Sequence, residues 1–419
     1  MKKIFIVVGI LIILAIIAFF VFKKDSIEPY VPMDNSGATT ENVASVVGAN
    51  NKFALDLYSL YQSEDGNLFF SPYSISSALA MTYEGARGLT AEQMQSVFYF
   101  PEDEDRRLGN ASLYNLFNEQ GKSYELNIAN AIWIEKKFSF LDSFLDIITN
   151  YYGGAIEKMD FIKNPDGSRI IINNWVEERT NNKIKDLIPG GMIDSLTRAV
   201  LTNAIYFKGD WVKEFNKEDT AELPFYVEEQ EPIYVEMMRK LDEPEFNYME
   251  NNSLQMIELP YSGEELSMLI LLPKEDSLET LEDKLSFNKL NGWKNSLRKR
   301  EVNVLIPKFK FESKYFMAND LSILGMPVAF SDQADFSGMS VQEGLTIDEV
   351  IHQAFVEVNE QGTEAAAATA VVMEAMSAGP SIGPKILVFK ADHPFIFIIQ
   401  HNATGNILFM GRVNDPSVE

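Results

Sequence analysis

The stretch Glu360 to Ser377, EQGTEAAAATAVVMEAMS, limits what this chain can fold into more than any other. It sets four consecutive alanines between Glu364 and Glu374, with no Gly or Pro from Thr363 to Ala378. Alanine is the best helix former, so propensity points to a helix. Counted at period two, Thr363, Ala365, Ala367, Thr369, Val371 and Met373 instead share one uncharged face, and both glutamates fall on the other. Helix and strand compete for a segment that lies late in a 419-residue chain.

With 46% hydrophobic and 23% charged residues, the chain can bury a sizeable core. Its length accommodates two or three average domains or one large α+β domain. The formal net charge of -25 repels phosphate backbones and heparin-like polyanions, which argues against nucleic acid as a partner. Cysteine is absent, and with it disulfides, thiol nucleophiles and thiolate metal sites.

The N-terminal segment Ile4 to Phe22, IFIVVGILIILAIIAFFVF, is uncharged and, as a helix, spans roughly 28 Å, close to a bilayer's hydrocarbon core. Lys23 and Lys24 follow it where a cleaved signal would show small residues. A retained membrane anchor at the cell surface is therefore expected, with secretion after signal cleavage as the alternative. Lys2 and Lys3 nearly balance Lys23 and Lys24, so charge specifies orientation weakly. Residues 25–41 carry Pro29, Pro32, Ser36, Gly37, Thr39 and Thr40, the composition of a spacer. The expected organisation is an anchor or signal at 1–24, a polar linker at 25–41 and one domain at 42–419.

From Val43 to Tyr61 the apolar residues recur as a helical stripe, and a second helix is predicted over Ile171 to Asp186. Later the period shortens. Ala199 to Phe207, Leu223 to Val227, Leu254 to Leu259, Leu266 to Leu272 and Val302 to Phe311 read as strands, as do Lys385 to Phe389, Phe395 to Gln400 and Ile407 to Val413. Helices early and strands late predict an α+β architecture with mainly antiparallel sheets.

Specific signals for catalysis are missing. There is no GxSxG elbow, HExxH, phosphate loop or dinucleotide fingerprint, so no catalytic residue, metal or cofactor is assigned. The three histidines, His352, His393 and His401, suit satisfied core groups better than a triad.

The stretch at Glu360 resembles the reactive-centre hinge and loop of the serpins, a family largely of serine protease inhibitors. Four further segments are similar to serpin segments, and in serpin order. They are NLFFSPYSISSALAMTYEGARG at Asn67, LTNAIYFKGDW at Leu201, LGMPVAFSDQADFSGMS at Leu324, and ADHPFIFII followed by ILFMGRV near the end. The resemblance covers Glu41 to Pro416. It implies about eight or nine helices, three mainly antiparallel sheets and an exposed loop at about 360–384.

In serpins a protease cuts the loop, whose N-terminal part then enters the main sheet as a new strand. Such a strand needs small or neutral inward side chains, which Thr363, Ala365, Ala367 and Thr369 supply, and Gly362 offers a free pivot. A short isolated helix is marginal in water, so the strand reading prevails. The resemblance assigns the hinge and inserting loop to Glu360, Gly362, Thr363, Glu364, Ala365, Ala366, Ala367, Ala368 and Thr369, and the reactive bond to Met376 and Ser377, with Ala375-Met376 as the alternative one residue away. It places Ser71, Ser74, Asn203 and His352 in the shutter beneath the sheet, and Trp211 with Lys308 at the breach, where Lys308 pairs with Glu360. The implied partner is a serine protease with an apolar primary pocket, trapped covalently by a monomeric inhibitor. The alternative is a non-inhibitory serpin acting as a binding or chaperone-like module. No basic cluster lies in Thr90 to Ser123, so heparin-type activation is not expected.

Overall fold

A computed structural model describes residues 31–227, 231–241, 244–274, 277–342, 344–363 and 387–418. The described residues form nine α-helices and sixteen strands. The first helix, α1 (Thr40–Tyr61), starts from a reciprocal cap in which Thr39 and Asn42 each bind the other's backbone N–H. Its apolar stripe buries Phe53, Leu57 and Tyr61. The second, α2 (Pro72–Tyr83), has Ser71 as its N-cap and Pro72 in its first turn, where the missing N–H is no loss.

Six strands make one sheet: β2 (Tyr124–Glu135), β3 (Ala155–Met159), β4 (Ala199–Asp210), β11 (Phe309–Phe316), β12 (Glu349–Val358) and the two-residue β13 (Gly362–Thr363), in the order β11-β12-β13-β4-β2-β3. The other ten are β1 (Leu68–Phe70), β5 (Ala221–Phe225), β6 (Ile233–Lys240), β7 (Glu245–Glu250), β8 (Leu254–Pro260), β9 (Leu266–Pro273), β10 (Arg298–Pro307), β14 (Leu387–Lys390), β15 (Phe395–His401) and β16 (Ile407–Val413). They run in the order β1-β16-β15-β9-β8-β7-β10-β6-β5, with β14 beside β10. β10 turns this path into two sheets, because Arg298–Glu301 pair with β7 while Val304–Pro307 pair with β6. The expected α+β class with three mainly antiparallel sheets is what the chain forms.

β4 is buried on both faces, which is why it reads as an almost unbroken apolar run. Val200 and Ala204 face a cluster with Ile172 and Val176 of the helix Pro165–Arg179. Leu201 joins the opposite core, shared with Ile75 and Leu79 of α2. The helix Pro165–Arg179 lies further back than the expected Ile171 to Asp186, because Asn181 and Asn182 take positive φ just past its end and stop it. Among the described residues no helix is long and apolar enough to cross a membrane, and Ile4 to Phe22 lie outside them.

Candidate functional site

The centre of the six-stranded sheet is parted at one end only. β4 and β12 run parallel and pair directly from Val200 with Glu349 to Ile205 with Ala354. Beyond those pairs β13 stands between them. Asn359 closes a tight reversal after β12, donating its N–H to the Gly362 carbonyl (2.9 Å) while its side chain accepts from the Gln361 N–H (3.0 Å). Gly362 then pairs with Asp210, and Thr363 with both Gly209 and Val358. A Cβ at position 362 would lie 2.0 Å from the Gly209 carbonyl oxygen, so only glycine permits this approach.

Around this upper end the side chains are mostly buried. Trp211 donates its indole N–H to the Asn359 carbonyl (3.1 Å) and stacks on Tyr261 with ring centroids 4.5 Å apart. The Tyr261 hydroxyl lies 2.6 Å from Oγ1 of Thr363, which is buried. Oε1 of Glu360 accepts from Thr220 (2.9 Å) and faces the Lys308 ammonium at 3.5 Å. Lys308 lies closer to Glu236, at 3.1 Å. Among the described residues the second Glu360 oxygen is buried without a hydrogen-bond partner, so within them the pair with Lys308 leaves this carboxylate under-satisfied.

Lower down, a polar row crosses the sheet. Asn130 on β2, Asn203 on β4 and His352 on β12 are successive cross-strand partners. The Ser71 N–H donates to Nε2 of His352 (3.0 Å), so that nitrogen holds a lone pair and the neutral ring carries its proton on Nδ1. Nδ1 gives this proton to Oδ1 of Asn203. Asn203 in turn donates to Oγ of Ser74 (2.6 Å) and to Oδ1 of Asn130. Ser74 donates to the same Asn130 oxygen (3.1 Å), and Ser71 donates to the Leu408 carbonyl (2.6 Å). Burial pushes the His352 pKa down to about 3. The row ties α2, β2, β4 and β12 into one network, and its His352 to Asn203 bond crosses the β4 and β12 pair directly.

The sequence-assigned residues therefore fall into two clusters. Ser71, Ser74, Asn203 and His352 meet in the polar row, and Trp211, Lys308, Glu360, Gly362 and Thr363 meet at the upper end. Glu364, Ala365, Ala366, Ala367, Ala368, Thr369, Met376 and Ser377 lie outside the described residues. Asn130 and Tyr261 are among the participants that escaped sequence reading, as are Thr220, Glu236 and Asn359. Asn130 had a signal, an amide inside the apolar run IANAIWI, and Tyr261 had none beyond being one tyrosine among sixteen. Among the described residues no group of side chains could hold a metal ion.

A family model described as "Serpin (serine protease inhibitor)" matches residues 48–416. An uncharacterised serpin-like protein of Methanosarcina acetivorans is 44% identical over 89% of this chain and 88% of its own length. The human leukocyte elastase inhibitor is 42% identical over 88% of this chain and 98% of its own. Among solved structures, a serpin of the insect Tenebrio molitor superimposes with a TM-score of 0.77 at 35% identity, covering 88% of this chain and 98% of that one.

Proposed function

This chain belongs to the serpin family, and on that premise we propose that it is a single-use inhibitor of a serine protease with an apolar primary pocket. The observation that carries this reading is the seated Gly362–Thr363 pair at the head of the β4 and β12 split. Nine residues on from Thr363 is Val372, and nine back from its partners Gly209 and Val358 are Val200 and Glu349, which are themselves partners. A strand continuing in this register would thus find both neighbours in phase down to the foot of the slot. Its inward face would carry Ala365, Ala367 and Thr369, small enough to enter a packed sheet.

Insertion would replace one strand ladder by two, a net gain of about one hydrogen bond per residue and on the order of 10 kcal/mol in all. A protease domain is stable by only about 5 to 15 kcal/mol. An enzyme still acylated to the moving loop could be distorted before it deacylates. Counted as the family counts, the bond cut is Met376-Ser377, and methionine suits elastase-, chymotrypsin- or subtilisin-like enzymes rather than trypsin-like ones. The similarity to a leukocyte elastase inhibitor supports the same choice. The apolar run at 4–22 would anchor the 42–419 domain at the cell surface through the 25–41 linker.

Incubation with elastase-like and subtilisin-like proteases tests this. The expected product is a complex stable in SDS together with a released C-terminal peptide whose mass begins at Ser377. Efficient cleavage without any complex would favour the non-inhibitory alternative.

A further inference from the structure

We infer that Tyr261 is a positioning residue for loop insertion, a latch whose hydroxyl holds Thr363 inside the sheet before any protease has cut. The inference rests on the insertion reading above and adds to it the residue that sets the starting position. The Tyr261 ring is fully buried and pinned on two sides, stacked on Trp211 and edge-on to Phe207 with centroids 5.1 Å apart. It also lies close against β4. A Cβ added at Gly209, the partner of Thr363, would come within 3.0 Å of the Tyr261 ring. The Ser262 N–H donates to the Asp210 carbonyl (2.7 Å), fixing the chain on which the ring is carried.

A phenol held so firmly in apolar surroundings needs a partner for its hydroxyl, and Thr363 supplies it at 2.6 Å. If Thr363 swung out of the sheet, two buried hydroxyl groups would lose their shared bond at once. The first step of insertion is thereby taken in the uncut molecule. What remains after cleavage is propagation from Thr363 downward, which separates β4 from β12 and breaks the His352 to Asn203 bond.

Tyr261→Phe keeps the ring and its stacking, and Thr363→Val keeps the branched shape; each removes one hydroxyl. Native-state hydrogen exchange of the full chain should quicken roughly tenfold at Gly362 to Thr363 and at the facing end of β4 in either variant. The double variant should go no further than the single ones, and all three should consume more inhibitor per protease trapped. Unchanged exchange in Tyr261→Phe, or effects that simply add, would overturn the latch. If Tyr261→Phe does not fold, Thr363→Val reads the same bond from the other side. Should the unaltered chain form no complex with any protease while the exchange effect appears, the inhibitory reading falls and the latch stands.

Discussion

His352 sits where its charge would have no partner. A proton added to Nε2 would displace the Ser71 N–H from its acceptor, and among the described residues no carboxylate takes part in the row. Its pKa falls from 6.5 to about 3 on folding, so between those values the unfolded chain binds more protons than the folded one. Stability from this group is fully present above about pH 6.5 and is lost as pH falls toward 3, by about 1.4 kcal/mol per unit. Denaturant titrations at pH 7 and pH 5 should show this loss in the native protein and much less of it in His352→Gln; equal losses would place the acid sensitivity elsewhere. Lys308 belongs at the same scale. Partly exposed and shared between Glu236 and Glu360, it makes a weaker contribution to the upper end than the buried hydroxyl pair of Tyr261 and Thr363.

Strands were legible in the sequence where one period ran uninterrupted between polar stops. Ile407–Val413, between Asn406 and Asn414, has the same bounds in both readings. Val302 to Phe311 does not, for it joins the end of β10 to the start of β11, which lie in different sheets on either side of Lys308. Periodicity reports which face is apolar and is silent on which sheet receives it. β2 went unread because Asn127 and Asn130 interrupt its apolar run, and Asn130 is there for the polar row. The hinge was legible for the opposite reason. Entry into a packed sheet would demand a charge-free, small-residue face, which the segment carries at period two, and the resemblance to serpins chose that strand reading over a helix. Thr363→Arg follows from that demand. The longer, charged side chain cannot stay at a position that is 1% exposed, so the chain should fold and be cut yet release its protease as a substrate. Undiminished complex formation in this variant would show that the face does not enter the sheet.

On the scale of the whole molecule, the proposed inhibition requires a chain stopped short of its lowest free energy. β4 and β12 are closed on one another along their lower half, held by six cross-strand pairs and by the His352 to Asn203 bond, while their upper ends already admit two residues of a third strand. Such a state would persist because opening the lower half must precede any gain from filling it, which would make its persistence a matter of rate. On the proposed mechanism, cutting the loop would free the segment after Thr363 to follow it. The melting temperatures of the intact and the loop-cleaved protein, measured side by side, decide the matter. Filling the slot should raise the melting temperature of the cleaved form by about 10 °C or more. A cleaved protein that melts at or below the temperature of the intact one would contradict the account.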